Sequence, residues 1–364
     1  VKFFVIAGEA SGDMHGANLI RAIRHLSPQS EFEGFGGQGL KAAGMNILRP
    51  LEKLNFMGFV EVVKNLGTVR ENFKLCKSAL EQNRPDAIIL IDYPGFNLRI
   101  AKWAKKNRIR VFYYISPQVW AWKENRVKQM KRNIDRLMVI LPFEKEFFAK
   151  HGMEVDFVGH PLIDEIEQRR QKGSIGKENI IALLPGSREQ EIMHILPEML
   201  KVQKHFPDYH FVIGKAQGRT TAFYQTRFDL GNAKIWDEGT YKLLSRSKAA
   251  LVGSGTATLE TALLQVPQVV CYKGNGVSVR LARALIKVPY ISLVNLILDR
   301  PAVKELIQAD LNPNSIVSEL KNLLENEDAI SKMQLDHKEL WDKLGGTGAS
   351  ETAAKLIVSD LKKR

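Results

Sequence analysis

The sequence predicts an α/β protein of two doubly wound domains, each a parallel sheet covered by helices on both faces. Three observations carry this expectation. Short apolar, β-rich runs alternate with stretches of helical periodicity in the first half of the chain; a polar segment broken by Pro and Gly runs from Gly159 to Lys177; and the alternation restarts at Ile180.

Lys2 to Ala7 reads as the first strand, after which Leu19, Ile20, Ile23 and Leu26 recur on one helical face. Ala87 to Ile91, Val111 to Ile115, Leu137 to Leu141 and Val155 to Val158 read as further strands, with helices such as Leu98 to Lys106 and Phe143 to Lys150 between them. The second half repeats the theme with strands at Ile180 to Leu184, Phe211 to Ile213, Ala249 to Val252 and Val269 to Tyr272. After Pro301 the pattern turns nearly all helical, and a last helix from about Ala349 to Leu361 follows Gly345-Gly346-Thr347-Gly348. Such a tether lets the last helix pack on the first domain, its own or a partner's. The domains are therefore expected at residues 1–163 and 164–344, with residues 345–364 returning as a C-terminal helix.

Composition narrows the function. The 364 residues are 45% hydrophobic and 26% charged, which excludes a disordered chain and allows two cores. The balance of 53 Lys+Arg against 40 Asp+Glu leaves +13, favouring nucleic acid, anionic lipid or phosphorylated substrates as partners. Cys76 and Cys271 lie far apart, without C-x-x-C or His spacing, so neither a disulfide framework nor a metal site is expected and a reducing cytoplasm fits. The apolar opening is too short for a secretory signal, and no run reaches the roughly 18 apolar residues of a membrane span, so membrane contact should be peripheral.

Two turns suggest a nucleotide-diphosphate site in the second domain. Ile180 to Leu184 runs into Pro185-Gly186-Ser187-Arg188, placing a cation at a helix start, where positive charge is unfavourable unless an anion is present. Leu251-Val252-Gly253-Ser254-Gly255-Thr256 is a second turn of small residues, with Glu260 one helical turn on, suited to ribose hydroxyls. In the first domain, Gly8-Glu9-Ala10-Ser11-Gly12-Asp13-Met14-His15-Gly16 follows the first strand without G-x-G-x-x-G spacing; either Ser11 or Asp13 caps the helix, or the loop offers polar groups to an acceptor. Asp92 ends a strand where ligands of open α/β sheets gather, before Tyr93-Pro94-Gly95, which should delay the next helix; it either braces that turn or does chemistry.

Other segments are weighed the same way. In Ser116-Pro117-Gln118-Val119-Trp120-Ala121-Trp122 the tryptophans read as core, leaving Ser116 and Gln118 as site candidates. Ten Lys/Arg against one acid, Glu124, between Lys102 and Arg132 form a solvated face or a patch for anionic lipid or phosphate. Leu54 to Val63 is apolar for a connection: buried helix, or an acyl-chain and membrane surface presenting Phe56, Met57 and Phe59.

These motifs in this order resemble the lipid-A-disaccharide synthase family, membrane-associated glycosyltransferases of GT-B fold, in which two Rossmann-like domains face a cleft. The resemblance is carried by Gly8 to Asp13, Gly36-Gly37, Met57-Gly58, Ile91-Asp92, Phe96-Asn97-Leu98, Ser116 to Trp122, Leu141-Pro142-Phe143-Glu144, Val158-Gly159-His160-Pro161, Leu184 to Arg188 and Ser254 to Glu260, and spans nearly the whole chain. Ser292-Leu293-Val294-Asn295 departs from it, since a proline is expected before the asparagine. The resemblance implies transfer of a diacylglucosaminyl group from UDP-2,3-diacylglucosamine to lipid X, giving the β-linked lipid A disaccharide 1-phosphate and UDP. It implies no cofactor, no metal, a location on the cytoplasmic side of an anionic inner membrane, and a homodimer as a candidate assembly.

An α-linked donor giving a β product requires inversion, and so one base. Asp92 is that base in this reading, with His15 its main rival and Asp13 a weaker one. Ser11, Gln118, Gly186, Ser187, Arg188, Ser254, Gly255, Thr256, Glu260 and Asn295 are then expected to hold the substrates and UDP. A UDP-sugar epimerase or soluble glycosyltransferase of the same fold would explain the nucleotide turns but not the apolar segment with its basic companion. A nucleic-acid-binding protein would explain the charge, yet no helix-turn-helix, RRM or zinc pattern is present.

Overall fold

The structure, a computed structural model, describes residues 1–54, 66–170, 176–274 and 288–363. Contacts divide the chain into two compact units, Val1–Asp164 with Gly345–Arg364, and Glu165–Leu344.

In the first unit, β1 (Lys2–Ala7), β2 (Glu31–Gly36), β3 (Asn46–Pro50), β4 (Ala87–Ile91), β5 (Arg110–Tyr114), β6 (Arg136–Val139) and β7 (Asp156–Phe157) form a parallel sheet in the order β3-β2-β1-β4-β5-β6-β7. The connections carry α1 (Ala10–Leu26), α2 (Gln38–Ala42), α3 (Leu66–Asn83), α4 (Pro94–Lys106), α5 (Val119–Trp122), α6 (Val127–Asn133) and α7 (Pro142–Lys150), and α8 (Pro161–Arg170) leads out of the unit. Because side chains alternate along a strand, the apolar runs split between two cores. Phe4, Ile6, Ile88, Leu90, Val111 and Tyr113 pack with Leu80, Ile100, Ala104 and Met130, while Phe3, Val5, Ile89, Ile91, Phe112 and Tyr114 pack with Ala17, Ile20 and Ile23 of α1.

The C-terminal helix, Ala349–Lys362, completes that second core with Ala353, Ala354, Ile357 and Val358. Both its ends are held. Asp164 accepts from the Gly348 and Ser350 N–H groups at 2.6 and 3.4 Å, and Asp360 pairs with Arg110 at 2.7 Å.

The second unit is a six-stranded parallel sheet of order β10-β9-β8-β11-β12-β13, built from β8 (Glu178–Leu184), β9 (His210–Gly214), β10 (Lys234–Trp236), β11 (Ser247–Gly253), β12 (Gln268–Tyr272) and β13 (Lys304–Ile307). Its helices are α9 (Glu189–Leu200), α10 (Thr221–Arg227), α11 (Thr240–Arg246), α12 (Thr256–Leu263), α13 (Leu293–Leu298), α14 (Pro313–Glu325) and α15 (Glu327–Lys343).

In both sheets the first strand is flanked by its second and fourth, so connections leave in opposite directions from the β1/β4 pair and the β8/β11 pair. Those are the two topological switch points, where a crevice opens at the carboxyl ends. Strands β2, β3, β10 and β13 were not expected. Three of them are half-paired edges without an apolar run, and β2 alternates Phe with Glu and Gly. After Pro301 the chain is nearly all helical, as expected, apart from β13.

Candidate active site

At the first switch point β1 and β4 run side by side with Ala7 opposite Ile91, and each gives way to a turn carrying a carboxylate, Glu9 or Asp92. A Cβ on Gly8 would stand 2.3 Å from the Tyr93 ring, so its hydrogen lets the two turns pack. The expected delay of the next helix does not occur: α4 starts at Pro94, a residue suited to the first helical position. Asp92 and Tyr93 instead take left-handed φ values of 42° and 47°, the sharp exit that separates strand from helix.

The Asp92 main chain is fixed by its own bonds, its N–H donating to Tyr114 O at 3.2 Å and its C=O accepting from Asn97 Nδ2 at 2.8 Å and the Tyr113 hydroxyl at 2.5 Å. The turn is thus braced by main chain, and the carboxylate adds a bond from the Tyr93 N–H. Burial pushes the Asp92 carboxyl up to about 7, the negative charge of Glu9 adds to this, and the Tyr93 N–H opposes it.

Asp13 proves committed elsewhere. Its carboxylate accepts from Gly37, Gly39 and Leu40 N–H at 2.6, 2.8 and 3.2 Å, closing the start of α2, which corrects its candidacy as a base. Neither Ser11 nor Asp13 caps α1; Glu9 occupies that position and Ser11 is exposed on the first turn. His15 is buried, its Nδ1 without a partner among the described residues, and burial lowers it to about 4. The adjacent His160, missing from the expected site, is lowered to about 3 by burial and then by His15; its Nδ1 accepts from Leu162 N–H, which leaves a proton on Nε2. Gln118 is exposed at the start of α5, while Trp120 is buried edge-on against Phe143 at 4.9 Å, as its core reading requires.

Glu144 was also missed. It is 1% exposed, accepts from Leu141 N–H at 3.0 Å and Ile140 N–H at 3.3 Å, and is raised to about 8, chiefly by burial, with Asp92 adding to the rise. The folded protein therefore keeps this proton where the unfolded chain, at an ordinary 4.5, has released it. The stability tied to it is complete below 4.5 and is lost as pH rises through about 8. Glu144→Gln, which retains an acceptor, is expected to flatten the fall of melting temperature over that range; an unchanged slope would show that Glu144 ionises without cost.

At the second switch point the turns after β8 and β11 touch. A Cβ on Gly253 would stand 3.0 Å from the Pro185 carbonyl carbon and 3.1 Å from Gly186 N, so glycine is what allows this approach. Ser187, Arg188, Gly255 and Thr256 are exposed, and Gly186 and Ser254 are half-buried. The N–H groups opening α9 and α12 thus border one crevice with Arg188 at its rim. The anion that Arg188 requires proves to be internal: its Nη1 lies 3.4 Å from Glu191 Oε1 in the first turn of α9. The side chain is 75% exposed, so this pair is weak and the guanidinium is free to turn to a ligand. Glu260, half-buried on α12, is raised to about 7 by burial and the nearby charge of Glu165, opposed by Arg169.

Asn295 does not join them. It is 1% exposed, its Nδ2 donates to Val303 O and Glu305 Oε1 at 2.9 Å each, and its Oδ1 accepts from Val303 N–H at 2.9 Å. With its amide filled it braces α13 against β13, which corrects its expected contact with nucleotide. Ser292, at the departure from the family pattern, caps α13 through Asn295 N–H. Phe56, Met57 and Phe59 lie outside the described residues. Among the described residues no group of three or more His, Cys, Asp or Glu is placed to hold a metal ion, and no helix is long and apolar enough to cross a membrane.

By fold, the chain is similar to the UDP-GlcNAc 2-epimerase of Neisseria meningitidis bound to UDP-GlcNAc (TM-score 0.67, 14% identity, all of both chains) and to the glycotransferase of kitacinnamycin (TM-score 0.69, 14% identity, 99% of both). At such identity these likenesses show the fold alone, two Rossmann-like parallel-sheet units of GT-B type. By sequence, the chain is 39% identical to the lipid-A-disaccharide synthase of Syntrophus aciditrophicus, covering 99% of this chain and 97% of that one. It is 38% identical to that of Nitrosococcus oceani, covering 98% and 95%. The profile of the Lipid-A-disaccharide synthetase family matches residues 3–358. With two switch-point crevices, the nucleotide-type turns and a match along its whole length, the chain belongs to the lipid-A-disaccharide synthase family of glycosyltransferases.

Proposed function

We propose that the protein joins UDP-2,3-diacylglucosamine to lipid X, giving lipid A disaccharide 1-phosphate and UDP, by a single inverting displacement that uses no metal. The observation that carries the mechanism is Asp92: a carboxylate fixed at the β1/β4 switch point and raised to about 7. Asp92 takes the proton of the acceptor hydroxyl as that oxygen attacks the anomeric carbon, and the bond to UDP breaks on the opposite face. A base matched to neutral pH is the more effective one, which favours Asp92 over His15, held near 4. UDP leaves with added negative charge. Arg188, Ser187 and Ser254, with the N–H groups after Gly186 and Gly255, receive its phosphates at the second switch point, and Glu260 receives the ribose hydroxyls.

The exposed cations Lys102, Lys106, Arg108, Lys128, Lys131 and Arg132 on and beside α4 and α6 support contact with the lipid X phosphate or an anionic membrane surface. Incubation with the two lipids and mass detection of both disaccharide and UDP tests the reaction; UDP release without disaccharide would replace transfer by hydrolysis. Arg188→Ala is expected to weaken UDP binding by about 1.5–3 kcal/mol, the scale of a charge-assisted hydrogen bond, as read by calorimetry. An unchanged affinity would remove Arg188 from the site.

A further inference from the structure

We infer that Glu9 is a positioning residue that sets the basicity of Asp92, through the two packed turns at the β1/β4 switch point. The inference rests on Asp92 as the base. Strands β1 and β4 are neighbours with Ala7 opposite Ile91, so Glu9 and Asp92 follow the same level of the sheet by two residues and one. The Tyr93 ring over Gly8 locks one turn on the other, and three main-chain hydrogen bonds keep Asp92 from relaxing away.

The two carboxylates are not equivalent. Glu9 stands at the N-cap of the 17-residue α1, with an extended backbone and no side-chain cap bond, where the positive helix end favours negative charge. Negative charge on Glu9 therefore raises the proton affinity of Asp92, as expected when like charges share a site. The other groups facing Asp92 do not replace this effect. Glu144, from α7, keeps its own proton near neutral pH; the Tyr113 hydroxyl of β5 is spent on the Asp92 carbonyl, with Arg126 acting on Tyr113; and Tyr93 is neutral, raised to about 12 by burial and then Glu9.

The test is the pH dependence of kcat/KM for the full-length protein with UDP-2,3-diacylglucosamine and lipid X. Glu9→Gln is expected to move the acidic limb to lower pH by about half a unit or more. Its plateau should fall several-fold, as for a weaker base. Glu9→Asp should return the limb toward its original position. A carboxyl-carbon NMR titration of Asp92 reads the same shift without turnover, and Glu9→Ser supplies a second uncharged variant should the glutamine not fold. A uniform loss of rate with the limb and the Asp92 titration unmoved would overturn the inference. Failure of the underlying assignment looks different: Asp92→Asn would then keep both its activity and its acidic limb.

Discussion

Asp92→Asn is expected to give a folded protein that binds UDP normally and turns over at least about a hundredfold more slowly. The fold should survive because the turn is held by the Asp92 main chain, through Tyr114, Asn97 and Tyr113, and asparagine keeps an oxygen to accept from the Tyr93 N–H. UDP binding should survive because the nucleotide turns belong to the other unit. The chemistry should not, since asparagine keeps the shape and loses the proton affinity. In the unaltered protein the sign is that of a base: with Asp92 at about 7, kcat/KM should climb as pH rises through that value. Activity within a few-fold of the unaltered protein would move the base to His15, whose limb belongs near 4.

Asn295→Ala is expected to cost about 2–4 kcal/mol of stability, measured by urea or thermal denaturation. One side chain closes three bonds at a position 1% exposed, and truncation leaves the Val303 N–H and C=O without partners in a buried place. Glu305 loses a donor too, keeping those from Ile291 and Ser292. An unchanged midpoint of unfolding would mean that these groups find other partners, and would reopen a role for Asn295 at the nucleotide.

The contrast between these two residues shows what was legible. Asp92 follows Ala-Ile-Ile-Leu-Ile, a run buried on both faces, and such a run announces the central strand at whose carboxyl end we propose the site. The glycine turns after β8 and β11 were readable for the same reason. Asn295 lies in a helix of six residues whose only signature is apolar, and its partners stand 8 and 10 positions away, just before and on an edge strand that reads as helix. Glu144 and His160 were present in the family motifs yet had no local reason to be chosen. Their character comes from depth: a glutamate in a helix's first turn looks like any favourable end charge until the fold buries it. Asp13 erred oppositely, since a carboxylate in the opening turn looks reactive until Gly37, Gly39 and Leu40 arrive from β2 and α2 to fill it.

The first sheet is closed by residues that follow the entire second unit in the chain. Ala17, Ile20 and Ile23 of α1 find their cover in Ala353, Ala354 and Ile357, so on the ribosome the nascent sheet must wait, one apolar side bare, while the whole of Glu165–Leu344 is synthesised. The later unit has every strand it needs within one uninterrupted stretch, and so has the means to fold first, reversing the usual order from the amino end. A chain released before Gly345 would carry that bare side permanently, a sticky surface for aggregation, and quality control would meet it long before any substrate did.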